Sequence, residues 1–306
     1  MNENYLIGVD GGTEGIRAGV FDTTGKPLAY ASMNYQTNFP YPGWAEQDPR
    51  DWWKALSVSV RKAIQESGIT AEQVAAMAVD TTCCSVVALD DSGDPLRPAL
   101  IWMDVRSANQ AEQVAACEDP ALQVNSNGKG PVSAEWMIPK ALWLKQNEPE
   151  IFEKAVTICE YQDYLNFHLT GRLVSSINNV STRWHFDFSE DKTGSKKSVP
   201  RSLLKKLELS DLEEKWPGEV TRLGEVIGGL TSEAAEHLGL PVGLQVVQGG
   251  ADAQIGMIGL GVVKPEDLAL ITGSSHLQLG LSKKPFHGEG IWGTYADALI
   301  PGLHTV

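Results

Sequence analysis

The feature that most limits the fold is a glycine-rich turn between two apolar runs, YLIGVDGGTEGIRAGVFD (residues 5–22). Each run has the length and side chains of a strand, so the segment predicts a β-hairpin. Gly11, Gly12 and Gly15 permit backbone angles that other residues resist, and their amide groups can face an anion. Asp10 would lie beside that anion, which requires a divalent cation between the two charges. The stretch indicates a nucleotide phosphate loop, with an ordinary glycine-rich hairpin as the alternative.

A second strand-loop-strand segment, LALITGSSHLQLGLS (residues 268–282), lies far downstream and has the same character. Its loop contains Thr272, Gly273 and Ser274, whose hydroxyl and amide groups can donate hydrogen bonds to phosphate. Two such loops can hold one polyphosphate between them. A plain hairpin turn is the alternative reading of this segment.

Between the two loops, helix and strand signals alternate, which favours an α/β fold. The segment 46–68 predicts a helix, because Asp48 is a good N-cap, Pro49 suits the first helical position and Gly68 can end it. An apolar strand then leads into the polar segment 80–85. We expect this segment to be exposed, since active-site residues collect where strands end.

Composition and charge exclude several classes of function. The chain has 306 residues, 42% of them hydrophobic and 21% charged, which is typical of a globular protein of one or two domains. The net charge of −14 opposes nonspecific binding to nucleic acid or to anionic membranes. No apolar stretch approaches the roughly 20 residues that cross a bilayer, and the start MNENY lacks a signal-peptide pattern. We therefore expect a cytoplasmic protein with a small-molecule partner, and neither a nucleic-acid nor a membrane partner.

The cysteines give no support for a zinc site. Cys83, Cys84, Cys117 and Cys159 show no CxxC spacing, and the six histidines form no HxxxH pair. We expect reduced and mostly buried thiols, with the adjacent Cys83 and Cys84 as candidate pocket residues.

Four stretches together resemble the FGGY carbohydrate kinases of the actin-like ATPase superfamily: GWAEQDPRDWW, LIWMDVRS, GGADAQIGMIGLG and ITGSS. The resemblance covers nearly the whole chain. It implies an α/β, ribonuclease-H-like fold with one complete lobe plus the beginning of a second, and ATP-dependent phosphorylation with Mg²⁺. We expect an N-terminal domain with the sugar site over residues 1–250 and the start of a C-terminal ATPase domain over 251–306.

The resemblance also implies residue roles. Asp252 matches the catalytic base, a carboxylate that accepts a hydroxyl proton while the γ-phosphoryl group passes in line to that oxygen. A helix N-cap is its alternative role, and the two are compatible. Asp10 would hold Mg²⁺ through water, while Gly11, Gly12 and Thr13 contact the phosphates of ATP. Thr272 and its two neighbours would contact them from the other lobe.

The sugar-binding candidates are polar or aromatic residues in the stretches that carry the resemblance: Thr82, Cys83, Trp102, Asp104, Arg183 and Asp252. Trp102 is expected as an apolar wall. VDTTCCSVVALD and STRWHFD look most like the ribulokinase-type pentulose kinases, whereas xylulokinases typically carry Gln-Met-His at residues 82–84. Arg183 stands where ribulokinases usually carry Lys, and its planar guanidinium changes the donor geometry. A xylulose- or glycerol-type kinase is the alternative.

The sequence argues against two other classes of protein. A dinucleotide-dependent dehydrogenase is excluded, because Gly8, Gly11, Gly12 and Gly15 never give G-x-G-x-x-G and a strand, not a helix, follows the loop. A noncatalytic actin-like sugar-binding protein is disfavoured by Asp252. FGGY kinases are usually longer than this chain. We therefore expect the chain to stop early in the second lobe, to bind ATP weakly, to turn over little alone and to self-associate, for example as a homodimer.

Overall fold

The computed structural model describes residues 4–188, 199–272 and 276–306. The strands are β1 (Tyr5–Gly11), β2 (Gly15–Asp22), β3 (Pro27–Asn34), β4 (Glu46–Gln47), β5 (Val74–Thr81), β6 (Val86–Leu89), β7 (Ala99–Leu100), β8 (Thr157–Glu160), β9 (Val174–Ser176), β10 (Glu219–Thr221), β11 (Val226–Gly229), β12 (Gln245–Ala251), β13 (Leu268–Thr272), β14 (His276–Ser282), β15 (Tyr295–Ala296) and β16 (His304–Thr305). The helices are α1 (Pro49–Ser67), α2 (Ala108–Ala116), α3 (Met137–Asn147), α4 (Pro149–Lys154), α5 (Tyr161–Thr170), α6 (Ile177–Arg183), α7 (Arg201–Lys206), α8 (Leu212–Lys215), α9 (Ser232–Leu238) and α10 (Asp252–Gly259).

A six-stranded sheet with the order β11-β12-β5-β1-β2-β3 forms the centre of the molecule. Strands β1, β2 and β3 form an antiparallel meander, whereas β5 runs parallel to β1 and β12 runs parallel to β5. Helices α1 and α5 pack on this sheet. The α/β class predicted from the sequence is confirmed. Because β1, β5 and β12 are parallel, their carboxyl ends share one edge of the sheet, and residues there are neighbours.

Helix α1 follows its sequence signals closely. The Asp48 side chain accepts a hydrogen bond from the Arg50 N–H at 3.0 Å, and Pro49 is the first helical residue. Gly68 ends the helix in the left-handed region at φ 75°. Trp52 is fully buried on the inner face of the helix. The predicted caps are confirmed, which shows that local signals set both ends of this element.

Three smaller sheets, one of them the parallel pair β9 and β10, and two further apolar clusters complete the described part of the chain. The sheet β4-β7-β6-β8 lies beside a cluster that contains Trp143 and Trp184. The sheet β13-β14-β16-β15 lies beside a small cluster around Met257 and Leu281. The domain boundary at residue 250 stays a prediction. Among the described residues, no helix is both long enough and apolar enough to span a membrane.

The hairpin of β1 and β2 is formed as predicted, but its glycines serve another purpose. The turn is closed by a hydrogen bond from the Gly12 N–H to the Gly15 carbonyl at 3.0 Å. Gly11, Gly12 and Gly15 are not among the residues with positive φ, so the expected need for unusual backbone angles is wrong. A Cβ on Gly15 would lie 2.6 Å from the Met33 carbonyl oxygen, and one on Gly11 would lie 3.0 Å from the Tyr161 ring. Glycine is required here by close packing.

Candidate active site

Three carboxylates meet where the parallel strands of the central sheet end. Asp10 in β1 lies opposite Asp80 in β5, in parallel register. Asp252 directly follows β12, whose last residue Ala251 lies opposite Thr81. The negative charge of Asp10 acts on both Asp80 and Asp252. The structure therefore brings the predicted metal ligand and the predicted base into one site.

Burial raises the pKa of each carboxyl group in this cluster, and neighbouring carboxylates raise the pKa of Asp80 and Asp252 further. Burial raises the pKa of Asp252 to about 6, with a smaller contribution from the charge of Asp10, while a hydrogen bond from the Ala253 N–H opposes the shift. Burial, then Asp10 and Asp252, hold the pKa of Asp80 well above its usual value. Burial raises the pKa of Asp10, and the positive charge of Arg17 lowers it part of the way back towards its usual value. A cation among these groups would reverse the repulsion.

Asp80 was not singled out from the sequence, and the expectation that residues 80–85 are exposed is wrong. Thr81, Thr82, Cys84 and Ser85 are buried, and Asp80 is half-buried. The Thr82 N–H donates to the Gly11 carbonyl at 2.9 Å, which extends the pairing of β5 with β1 past the end of the strand. The sequence does show that Asp80 is a second acidic residue near the end of an apolar strand. Only the register of β5 against β1 shows that it lies opposite Asp10.

The donors fit a magnesium ion that is held in part through water. The Oδ1 atom of Asp80 is buried and has no hydrogen-bond partner among the described residues, beside two further carboxylates. No group of three or more possible metal ligands in the described ranges is close enough to bind an ion directly. Mg²⁺ commonly keeps several waters and binds one or two carboxylates plus substrate phosphates. Asp10 suits that kind of binding.

Two adjacent glycines shape the end of β12, where Asp252 begins α10. The pairing of β12 with β5 is irregular between Gln248 and Ala251. A Cβ on Gly249 would lie 2.0 Å from the Val79 carbonyl oxygen, and one on Gly250 would lie 2.7 Å from Asn178 Oδ1. Only glycine permits these approaches, so the GG pair in GGADAQIG sets the direction in which the chain enters α10.

The β1–β2 turn, which is the predicted phosphate loop, is held by side chains that bind its oxygen atoms. The hydroxyl group of Tyr35 donates to the Gly12 carbonyl. Gln47 donates to the Thr13 carbonyl at 2.7 Å, and the Trp102 indole N–H donates to the Thr13 hydroxyl at 2.9 Å. The Thr13 hydroxyl proton stays available for a ligand. Trp102 was predicted as a wall of the sugar pocket, and the structure places its polar edge on the phosphate loop.

The downstream loop is described only in part. Thr272 is the exposed last residue of β13 and pairs with His276 across the hairpin. Gly273 and Ser274 lie outside the described residues. The role of these three residues in binding phosphate therefore stays a prediction.

Cys83 and Arg183 lie together next to the carboxylate cluster. Arg183 is the last residue of α6, and its charge acts on the Cys83 sulfur. The guanidinium carbon lies 5.8 Å from the centre of the Trp136 ring. The charge of Asp252 also acts on Cys83. The structure thus gathers two predicted sugar ligands and the predicted base, with Thr82 buried beside them.

Asp104 is paired with groups of the protein itself, and its role in binding sugar stays a prediction. The residue is 0% exposed. Its carboxylate accepts the Ala45 N–H at 2.7 Å and pairs with the Arg106 guanidinium at 2.7 Å and 2.9 Å. That guanidinium also lies 3.7 Å from the centre of the Trp44 ring. These contacts give Asp104 a structural role, whether or not the residue also binds sugar.

A buried polar network behind the candidate sugar site was missed from the sequence. The Lys140 ammonium group donates to the carbonyls of Cys84 and Ile101, each at 2.7 Å. The Glu160 carboxylate accepts the Cys84 N–H at 3.0 Å and the Trp184 indole N–H at 2.6 Å. Burial lowers the pKa of Lys140 to about 8 and raises the pKa of Glu160. These bonds hold Cys84 in the left-handed region at φ 67°.

Comparison with known proteins identifies the family of the chain. The profile of the FGGY family of carbohydrate kinases, N-terminal domain, matches residues 5–259. The chain is 32% identical to an FGGY carbohydrate kinase domain-containing protein from Homo sapiens, over 98% of this chain and 57% of that protein. It is 31% identical to a ribulokinase from Geobacillus thermodenitrificans, over 99% of this chain and 57% of that enzyme. The chain thus spans about 57% of the length of these curated relatives.

Solved structures show the same fold. A xylulose kinase from Rhodospirillum rubrum superimposes with a TM-score of 0.84 at 25% identity, over 99% of this chain and 59% of that chain. A gluconate kinase from Lactobacillus acidophilus gives a TM-score of 0.85 at 22% identity, with the same shares covered. The predicted ribonuclease-H-like fold of the actin-like ATPases is confirmed. On the match over residues 5–259 and the shared fold, the chain belongs to the FGGY family of carbohydrate kinases.

Proposed function

We propose that this protein acts in the transfer of the γ-phosphoryl group of ATP to a hydroxyl group of a pentulose, such as ribulose, or a related polyol. The observation that carries the proposal is the meeting of Asp252 and Asp10 at one edge of the sheet, within range of each other's charge. Phosphoryl transfer needs a base for the attacking hydroxyl beside a cation for the phosphates. A noncatalytic sugar-binding protein has no need for such a pair.

Each residue has a distinct task in the proposed reaction. Asp252 is ionised above about pH 6 and accepts the hydroxyl proton as the oxygen attacks. Arg183 and Cys83 bind the polyol, and the guanidinium orients its hydroxyl groups. The Gly12 amide and the Thr13 hydroxyl donate to phosphate oxygens, and Asp10 holds Mg²⁺. When bound, Mg²⁺ supplies positive charge that offsets the charge of the phosphates.

The choice of a ribulose-like acceptor rests on similarity and on the residues at the site. Ribulokinases from three bacteria are about as similar as any relative compared, at 31% identity. Autoinducer-2 kinases of Salmonella strains follow at 30%, and the superimposed xylulose kinase at 25%. A xylulose- or glycerol-type kinase is therefore the alternative. The guanidinium of Arg183 beside the thiol of Cys83 is the feature that a substrate panel would probe.

The test is transfer of radiolabelled γ-phosphate from ATP to D-ribulose, L-ribulose, D-xylulose, ribitol and glycerol. We expect the transfer by these 306 residues alone to be low, to favour one pentulose over the others, and to fall about 100-fold or more in Asp252→Asn, because general-base catalysis contributes that much. Asp91→Asn changes an exposed turn carboxylate and is the matched control. Equal ATP consumption with and without every sugar contradicts the kinase proposal. Calorimetric titration of the sugars without ATP tests the acceptor site separately.

A further inference from the structure

A cavity of about 570 Å³ lies between the segments 127–131 and 287–292. Its volume is within the range of small-molecule sites, which is roughly 300–1,000 Å³. Lys129, His287 and Glu289 are among the residues that line it, so hydrogen-bond donors, acceptors and both signs of charge are present. A lining of this mixed kind suits a neutral ligand whose hydroxyl groups both donate and accept hydrogen bonds.

Hydrogen bonds join the two walls of this cavity. The Thr294 N–H donates to the Val124 carbonyl at 2.9 Å. The side-chain amide of Asn125 donates to the Tyr295 hydroxyl at 3.2 Å, and both of these residues are buried. The Gly130 N–H donates to the Asn125 carbonyl at 3.0 Å, which fixes the turn that enters the first wall. The cavity is therefore built into the fold and is not a gap between two independent loops.

Trp292 is the aromatic residue of this cavity. Among the nine tryptophans of the chain, all of which the structure describes, Trp292 alone is exposed, at 50%. It lines the cavity, and its ring meets the buried ring of Trp136 edge to face, with 6.1 Å between the ring centres. The exposed part of the indole is a large apolar surface in a polar cavity. The CH groups of a ligand can cover that surface.

Contacts connect the cavity to the candidate sugar site. The Arg183 guanidinium carbon lies 5.8 Å from the centre of the Trp136 ring, on which Trp292 packs. Arg183 is the last residue of α6, whereas Asn178 near the start of that helix bonds the backbone next to Asp252. Five residues of helix separate them, about 7.5 Å along the axis. The cavity thus adjoins the Arg183 end of α6, and the candidate base lies at the other end.

The length of a polyol decides whether it can span this distance. With C–C bonds of about 1.5 Å, three carbons extend roughly 2.5 Å and five carbons roughly twice as far. A polyol whose reacting hydroxyl lies at Asp252 extends along α6 towards Arg183. A five-carbon chain with its hydroxyl groups therefore reaches much further towards the cavity than glycerol does.

We propose that this cavity binds the end of the polyol that is remote from the reacting hydroxyl, and that Trp292 is a specificity-determining residue that favours five-carbon acceptors over glycerol. The indole covers CH groups of the carbon chain, while Lys129 and Glu289 bind its hydroxyl groups. The inference rests on the proposed function, because that function places the reacting end of the polyol at Asp252.

Calorimetric titration with D-ribulose, ribitol and glycerol tests the assignment. Trp292→Ala should weaken the binding of the two five-carbon compounds about tenfold, because their CH groups lose the apolar surface that covers them, and should leave glycerol unchanged. Trp292→Phe retains an aromatic face and should restore most of the affinity. Phe286→Ala removes another exposed ring of the same segment, at 55% exposure and outside the cavity lining, and is the matched control.

A second variant keeps the test independent of the packing of Trp292 on Trp136. Glu289 is exposed, and Glu289→Ala should weaken ribitol about threefold through a lost hydrogen bond, again with glycerol unchanged. Thermal unfolding shows which variants are folded. Pentulose affinity that is equal in the unmodified chain and in both alanine variants, or an equal loss for glycerol, overturns this inference and leaves the proposed function standing. An unmodified chain that binds none of the three compounds contradicts the proposed acceptor site itself, and this inference with it.

Discussion

The Asn178 carboxamide oxygen accepts the Ala251 N–H at 2.9 Å, one residue before the candidate base Asp252. Its amide nitrogen donates to Gln254 in α10 and to the Ala298 carbonyl at 2.8 Å. Asn178 lies in α6, and the last residue of that helix is Arg183. One short helix therefore positions both the proposed base and the proposed sugar ligand.

Asn178→Ala should destabilise the fold by about 2 kcal/mol, because it leaves the Ala251 N–H and the Ala298 carbonyl buried without partners. We also expect kcat to fall more than KM changes, since the base loses its support while the sugar ligands remain. Urea denaturation and steady-state kinetics measure the two effects. Asn147→Ala, at an exposed helix end where the side chain bonds only the Trp143 carbonyl, is the control and should cost little. Equal costs would contradict the special role of Asn178.

Gly249→Ala should destabilise the protein by about 3 kcal/mol or more, because its Cβ would lie 2.0 Å from a backbone carbonyl oxygen that cannot move without disturbing β5. Gly259→Ala makes the same chemical change at the exposed end of α10, where a Cβ meets nothing within 4 Å. There we expect no loss, or a gain of about 0.5–1 kcal/mol from the higher helix propensity of alanine. Thermal unfolding of both variants checks the contrast, and similar losses in the two would refute it.

Local signals predicted the fold better than they predicted the site. The caps of α1 and the β1–β2 hairpin are set by neighbouring residues, and both were predicted. Asp80 was missed because only the pairing of β5 with β1 brings it opposite Asp10. Such a pairing joins residues 70 positions apart, and no local pattern encodes it.

Asp80 was not predicted as a site residue, whereas Asp104 was predicted as one although its carboxylate is already paired within the protein. Its place in a stretch that resembles the family suggested a ligand, yet Arg106, two residues later, takes the carboxylate in a buried ion pair. Residue type and position do not reveal which polar groups are already used within the protein. The expected exposure of residues 80–85 failed for a related reason, because Lys140 and Glu160 hold that segment from elements distant in the sequence.

Asp104→Asn should lower the stability of the fold and leave sugar binding unchanged, whereas Arg183→Gln should weaken sugar binding. Asp104→Asn removes one charge from a buried pair and should destabilise the fold by about 3 kcal/mol, with sugar affinity unchanged. Arg183→Gln removes the guanidinium proposed to bind the polyol and should weaken sugar binding about tenfold or more, because charge-assisted hydrogen bonds are lost. Calorimetry on the folded fraction separates the effects. Sugar affinity lost in Asp104→Asn would support the ligand role predicted from the sequence.

Asp252→Asn should stabilise the fold at pH 7 while it abolishes transfer. Burial raises the folded-state pKa of Asp252 from 3.8 to about 6. The carboxyl group favours folding below pH 3.8, and this contribution is lost as the pH rises towards 6 and above. An uncharged amide avoids the loss, so the variant gains up to about 3 kcal/mol at pH 7.

The sign of this effect is testable because it depends on pH. The advantage of Asp252→Asn over the unmodified chain should be full at pH 7, smaller at pH 5 and absent near pH 3, as urea denaturation at each pH would show. Asp91→Asn, at an exposed turn, should give a difference near zero at every pH. An advantage that grows as the pH falls would mean that Asp252 is stabilised as a carboxylate in the fold. Burial next to Asp10 makes the reverse the expected result, because each negative charge there disfavours the other.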